Sequence, residues 1–113
     1  MTIADWANAV APMVSLGNLR INLDTFEVFV GSTRVHLTYQ EFETLRRLLD
    51  QPDKIVPFDT LTDLLWQATG HVFRRRLNVV VHRLRLKLAG SSPYQVEMVR
   101  LRGYGLLTRQ GGE

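Results

Sequence analysis

The chain has no cysteine among its 113 residues. That removes disulfides, thiolate nucleophiles and cysteine-bound metal, and it lends no support to secretion. No apolar run approaches the roughly 20 residues that a membrane-spanning helix needs. The first ten residues, MTIADWANAV, carry an acid and no basic segment, so they do not resemble a secretory signal, and the expected location is the cytoplasm. There is no glycine-rich phosphate loop. The three histidines, His36, His71 and His82, fall on an expected strand, loop and helix without the spacing of metal ligands. Asp59 and Asp63 stand one helical turn apart, where a helix cap and a solvated helix face account for them. No enzyme, cofactor or metal site is expected. Negative charge is scarce in one place. Residues 71–113 hold two Asp/Glu against nine Lys/Arg, a net of +7, whereas residues 1–70 hold nine against five, a net of −4. A basic C-terminal part on a chain of net charge only +3 is the electrostatic footprint of a nucleic-acid face.

Hydrophobic content is 45% and charged content 22%, which suits one globular domain with one core. The basic charge concentrates in RRRLNVVVHRLRLKL, residues 74–88, with six Lys/Arg and no acid. Leu77, Val81, Leu84 and Leu88 recur at i, i+4, i+7 and i+11, the stripe of an amphipathic helix. Opposite and beside it stand Arg75, Arg76, Val79, Val80, His82, Arg83 and Lys87. Like charges three or four residues apart repel by a few tenths of a kcal/mol per pair, roughly, and no acid in the segment relieves them. A polyanion would supply the missing charge; a solvated basic face is the alternative. An anionic membrane surface fits less well, because such helices usually add Trp or Phe, and this one has neither.

Residues 1–17 show little pattern beyond Trp6, an alanine-rich run and Pro12, and read as an arm or linker. A domain over residues 18–109 and a tail over 110–113 follow. Leu19, Ile21 and Leu23 alternate with polar residues as a half-buried strand. Phe26, Val28 and Val30 predict a second strand and Thr33 to Leu37 a third, with Gly31-Ser32 as the turn. Together they form an antiparallel meander that helices must cover on one face. Thr38 with Glu41 makes a capping box for a first helix whose stripe is Phe42, Leu45, Leu48 and Leu49, ended by Pro52. Residues 54–57 read as an extended link. Asp59 is expected to cap a second helix that buries Leu61, Leu64, Leu65 and Trp66, and residues 67–73 form a loop to the basic helix. Gly90-Ser91-Ser92-Pro93 turns the chain into a hairpin over 96–108, with Arg100 and Arg102 at its tip. The expected class is α+β: an N-terminal antiparallel sheet, three helices arranged as a winged helix-turn-helix, and a C-terminal hairpin wing.

From about Leu19 to Leu107 the chain resembles the winged-helix effector domain of OmpR/PhoB-type response regulators. The matching residues are Leu37-Thr38, Glu41-Phe42, Leu45 and Leu48 in the first helix, then Leu65-Trp66 closing the second. Arg75, Leu77, Asn78, Val79, Val81, Arg83, Leu84, Arg85, Lys87 and Leu88 match the recognition helix, and Met98-Val99-Arg100-Leu101-Arg102-Gly103-Tyr104-Gly105-Leu106 match the wing. The departures are Asn78 for an Asp, Val80 at a commonly polar position, Met98 for a Thr and Leu101 for a Gly. The family's phosphorylated receiver domain is not part of this sequence.

The resemblance implies sequence-specific binding of double-stranded DNA and control of transcription, with helix 74–88 in the major groove and hairpin 96–108 in the minor groove. Arg83 is the expected base reader, since Arg pairs bidentately with guanine O6 and N7. Val80 offers an apolar contact such as to a thymine methyl. Arg75, Arg76, His82, Arg85 and Lys87 are expected to hold phosphates, and Arg74 or Arg85 to pair alternatively with an acid of the first two helices. Arg100 matches the family's minor-groove arginine. Arg102 and Trp66 are secondary candidates; Tyr104 and Phe42 read as core. The resemblance also implies contact with RNA polymerase through loop 67–73 and tandem dimers on DNA. The rival function is a winged helix used as a protein-interaction module, because Val79, Val80 and Leu86 give the basic helix an apolar streak.

Overall fold

A computed structural model of the chain describes residues 13–108. The expected Trp6 arm and the 110–113 tail lie outside the described residues. Four short strands open the fold: β1 (Met13–Leu16), β2 (Leu19–Asn22), β3 (Val28–Val30) and β4 (Thr33–Val35). They form one antiparallel meander in the order β1-β2-β3-β4. Three of them were legible as alternation. β1 falls inside the segment expected to be arm or linker, yet Met13 pairs with Asn22 and Leu16 with Leu19. Its MVSL sequence buries no residue fully, so its alternation is weak, and backbone pairing to β2 supplies the order.

The second strand is shorter than expected. Asn22 Oδ1 accepts from the backbone N–H groups of Asp24 and Thr25 at 2.9 and 3.0 Å, an Asx turn that takes the chain out of the sheet. Phe26 therefore leaves the strand with φ +64, its ring edge-on to Phe42 with centroids 4.9 Å apart. Gly17, between β1 and β2, sits at φ +61, where a Cβ would run into the carbonyl of Ser92. Asn18 beside it accepts from Ser92 N–H at 2.8 Å and donates to the Gly90 carbonyl at 3.0 Å. The N-terminal sheet is thereby stitched to the loop that follows the basic helix.

Helix α1 (Tyr39–Leu49) begins with the complete capping box: Thr38 Oγ1 accepts from Glu41 N–H and Glu41 Oε1 accepts from Thr38 N–H. Its stripe, Phe42, Leu45, Leu48 and Leu49, is buried as the spacing requires. The link after it contains a two-residue strand, β5 (Val56–Pro57), paired with the wing. Helix α2 (Phe58–Trp66) starts without a side-chain cap: Pro57 occupies the N-cap position, and Asp59, expected there, lies inside the first turn. Leu61 is buried, Leu65 and Trp66 are half-buried, and Leu64 is exposed.

Helix α3 (His71–Lys87) begins three residues before the expected start. Its first turn has no side-chain cap and no acid, and Gly70 at φ +106 serves as N-cap, so the sequence carries no start signal there. The expected loop 67–73 contracts to Gln67–Gly70. The wing is β6 (Tyr94–Val99) and β7 (Gly103–Thr108), in a three-stranded sheet ordered β5-β7-β6. At Gly103 a Cβ would strike the Val56 carbonyl, so glycine permits the close approach of β7 to β5. The core joins Leu19, Ile21 and Val28 from the meander to Leu45, Leu48 and Leu61, the α3 stripe Leu77, Val81 and Leu84, and Leu106 of the wing. Four strands, three helices and a terminal hairpin give the expected α+β winged-helix architecture.

Candidate nucleic-acid interface

The α3 stripe Leu77, Val81, Leu84 and Leu88 is buried, which fixes the opposite face outward. At about 100° per residue, Val72, Val79 and Leu86 fall along the middle of that outer face, and all three are exposed. Arg76 and Arg83 flank them on one side, Arg75 and His82 on the other, and all four are exposed. The helix thus presents an apolar ridge between two rows of basic side chains.

Val80 does not lie on this ridge. It is 8% exposed, against 49% for Val79. One step along a helix rotates a side chain far enough to exchange outside for inside, and Val80 sits where α3 meets Gln40 and Trp66. The apolar contact expected from Val80 is therefore available from Val79, whose exposure the heptad spacing of Val72, Val79 and Leu86 signals in the sequence.

Lys87 is also placed differently from expectation. Its Nζ donates to Glu41 Oε1 at 2.7 Å, so its charge is committed to the first turn of α1. Burial of the Glu41 carboxyl would raise its pKa. The Lys87 ammonium and the Thr38 backbone N–H outweigh this and hold it below the usual carboxylate value. The ion pair ties the end of α3 to the start of α1.

The other end of α3 is held in the same manner. Arg74 Nε donates to Asp59 Oδ1 at 3.0 Å, and its guanidinium lies over the Phe58 ring at 5.5 Å. This is the pairing expected for Arg74 with an acid of the second helix. Arg76 stacks on Phe73 at 5.1 Å, and Phe73 lies 6.0 Å from Trp66. Trp66 acts here as the inner support of a row that directs Arg76 outward, and remains half-buried.

The wing is docked on α3 through its base. Tyr104 is buried, and its hydroxyl donates to Asn78 Oδ1 at 3.0 Å. Burial raises the Tyr104 pKa, and the nearby Arg85 guanidinium opposes that shift. Asn78, which stands where the resemblance has an Asp, therefore serves as the acceptor joining helix to wing. The turn at the far end, residues 100–102, is closed by Arg102 N–H donating to the Val99 carbonyl at 3.0 Å. Arg100, Leu101 and Arg102 are all exposed there.

Of the expected DNA contacts, Arg75, Arg76, His82, Arg83 and Arg85 stand exposed on α3, and Arg100 and Arg102 at the wing tip. Lys87 is engaged elsewhere and Val80 is buried. No group of three or more His, Cys, Asp or Glu among the described residues is arranged to hold a metal ion. No described helix is long and apolar enough to cross a membrane.

The family model described as "Transcriptional regulatory protein, C terminal" matches residues 32–106. Heme response regulator HssR of Staphylococcus haemolyticus is 31% identical over 97 residues, covering 85% of this chain and 43% of that protein. Response regulator protein PmrA of Pseudomonas aeruginosa is 32% identical over 95 residues, covering 84% of this chain and 42% of that protein. The chain thus spans about two fifths of the length of these curated relatives. Among solved structures, the RstA DNA-binding domain of Klebsiella pneumoniae in complex with the RstA box is 31% identical with a TM-score of 0.74. That match covers 84% of this chain and 96% of the RstA domain.

Proposed function

The chain belongs to the family of C-terminal winged-helix DNA-binding domains of OmpR/PhoB-type response regulators, and from that premise we propose that it binds a specific double-stranded DNA sequence to control transcription, with α3 in the major groove and the β6–β7 wing in the adjacent minor groove. The family is a DNA-binding regulatory one and not a catalytic one. The single observation carrying the proposal is the outer face of α3, where an apolar ridge runs between rows of exposed basic side chains.

A major groove admits a helix and displays base edges to its outer face. Arg83 is proposed to read guanine there, and Val79 to meet a thymine methyl. Arg75, Arg76, His82 and Arg85, on the flanks, are assigned to phosphates, which position the helix without specifying sequence. Arg100 is assigned to the minor groove and Arg102 to the adjoining backbone. The ties of Arg74 to Asp59 and Lys87 to Glu41 join the two ends of the helix to α2 and α1. Contact of the linker Gln67–Gly70 with RNA polymerase, tandem dimers on DNA, and control by a receiver domain in a longer protein are further parts of the proposal that the family suggests.

Selection of binding sites from random duplex DNA, followed by affinity measurements on single-base variants, tests the assignment. Arg83→Ala should cost roughly 1–3 kcal/mol on the selected site and relax preference at one base pair. Uniform loss on every duplex would remove Arg83 from base reading. The exposed Val72, Val79 and Leu86 favour a second reading, an apolar face for a protein partner. Binding through such a face would barely respond to salt.

A further inference from the structure

Leu101 is the most exposed of the large apolar residues described, at 88%. It is also held at φ +67, the left-handed region that a leucine rarely adopts. It is the third residue of the Val99–Arg102 turn, where a positive φ is normally supplied by glycine or asparagine. The chain therefore carries two costs at one position: backbone strain and an unshielded isobutyl group. Neither is repaid inside the domain, because the side chain projects beyond the sheet into solvent. Arg100 and Arg102 flank it, both exposed, so the tip is an apolar point between two cations. The base of the wing is anchored by Tyr104 on Asn78 and by β7 on β5, which fixes where the tip points.

Resting on the DNA reading above, we propose that Leu101 is a wedge: it enters the minor groove between two stacked base pairs, opens that step and bends the duplex away from the wing. Apolar side chains that enter a minor groove unstack a base step and kink the helix toward the major groove. Two arginines beside the wedge match the negative potential of the groove walls. The turn's left-handed backbone projects the side chain outward before binding, so little ordering remains to be done at the moment of insertion. The step chosen should be a pyrimidine–purine one, TA or CA, because these unstack most easily. Leu101 is then a specificity determinant at a position where no base edge is hydrogen-bonded.

The test uses the selected duplex with 2-aminopurine placed in turn at each step beneath the wing, since this base fluoresces more strongly when unstacked. Wild-type protein should raise the signal several-fold at one step. Leu101→Gly, which suits the turn backbone, should melt no lower than wild type, bind roughly tenfold more weakly and leave the signal flat. Leu101→Met should restore it. Binding by wild type with no rise at any step, or an undiminished rise with Leu101→Gly, would overturn the wedge and leave the DNA reading intact. Failure of the wild-type protein to bind any duplex would overturn both.

Discussion

Replacing Glu41 by Gln should unfold the domain more easily at neutral pH and make no difference in acid. The Glu41 side chain is 2% exposed and accepts from Thr38 N–H at 2.9 Å and from Lys87 Nζ at 2.7 Å. Glutamine keeps an acceptor for Thr38 and removes the charge that Lys87 meets. A hydrogen bond to a charged group contributes about 1.5–3 kcal/mol. The Lys87 side chain is 37% exposed, so solvent screening places this one at the low end, about 1.5 kcal/mol. For a domain of this size that lowers the melting temperature by roughly 6 °C. The pH dependence follows from the depressed folded-state pKa of Glu41. Its charge-dependent stabilisation is fully present above the ordinary value of 4.5 and is lost as pH falls through the lowered folded value. Asp53, whose carboxyl is also held low by the Thr108 hydroxyl and N–H, responds in both proteins and cancels in the difference. Thermal melts of wild type and Glu41→Gln from pH 7 to pH 2.5 provide the assay. A gap under about 0.3 kcal/mol at pH 7, or one that persists unchanged in acid, would refute the tie between α1 and α3.

Three further outcomes are expected. Tyr104→Phe removes the donor to Asn78 and should cost roughly 0.5–1.5 kcal/mol, with a larger proportional loss of DNA affinity because the wing loses its alignment on α3; denaturant titration and binding on the same sample separate the two. Arg100→Ala should weaken binding most on duplexes with A/T-rich flanks, whose narrow minor groove concentrates negative potential; equal loss on G/C-rich flanks would make Arg100 an ordinary phosphate contact. Val79→Ala should lower affinity only where the opposing base carries a thymine methyl, so replacing that thymine by uracil should weaken wild type and leave the variant unchanged.

Much of the fold was legible because its strongest signals are local. The Thr38–Glu41 capping box and the Phe42/Leu45/Leu48/Leu49 spacing both act within a few residues, and both appear as expected. What escaped was set by tertiary pairing. β1 is ordered by its neighbour strand, Phe26 is pulled from its strand by the Asn22 side chain, and β5 exists because glycine at 103 lets β7 approach. α3 starts at His71 with no capping side chain to announce it.

The interface divides along the same line. Periodicity placed Leu77, Val81, Leu84 and Leu88 inward and left Arg83 outward. The edges of the stripe were ambiguous: Val80 turns in toward Gln40 and Trp66, and Val79 turns out. Charge alone made Lys87 a phosphate ligand, but its partner Glu41 lies 46 residues away in sequence, beyond the reach of any local pattern. Leu101 stands out in the sequence against the family's glycine, and its exposure and backbone angle give that departure a physical meaning.

The outer face of α3 and the wing tip are proposed to bind duplex DNA through its charge and its bases. Fluorescence anisotropy across a salt series, with the selected site and with a scrambled duplex, measures both contributions. Four arginines on phosphates, Arg75, Arg76, Arg85 and Arg102, predict that log K falls against log salt with a slope of roughly −4 for both duplexes, at roughly −0.9 per phosphate. The selected site should stay tighter by about a thousandfold or more at physiological salt. A flat salt response, or equal affinity for the two duplexes, would contradict the account.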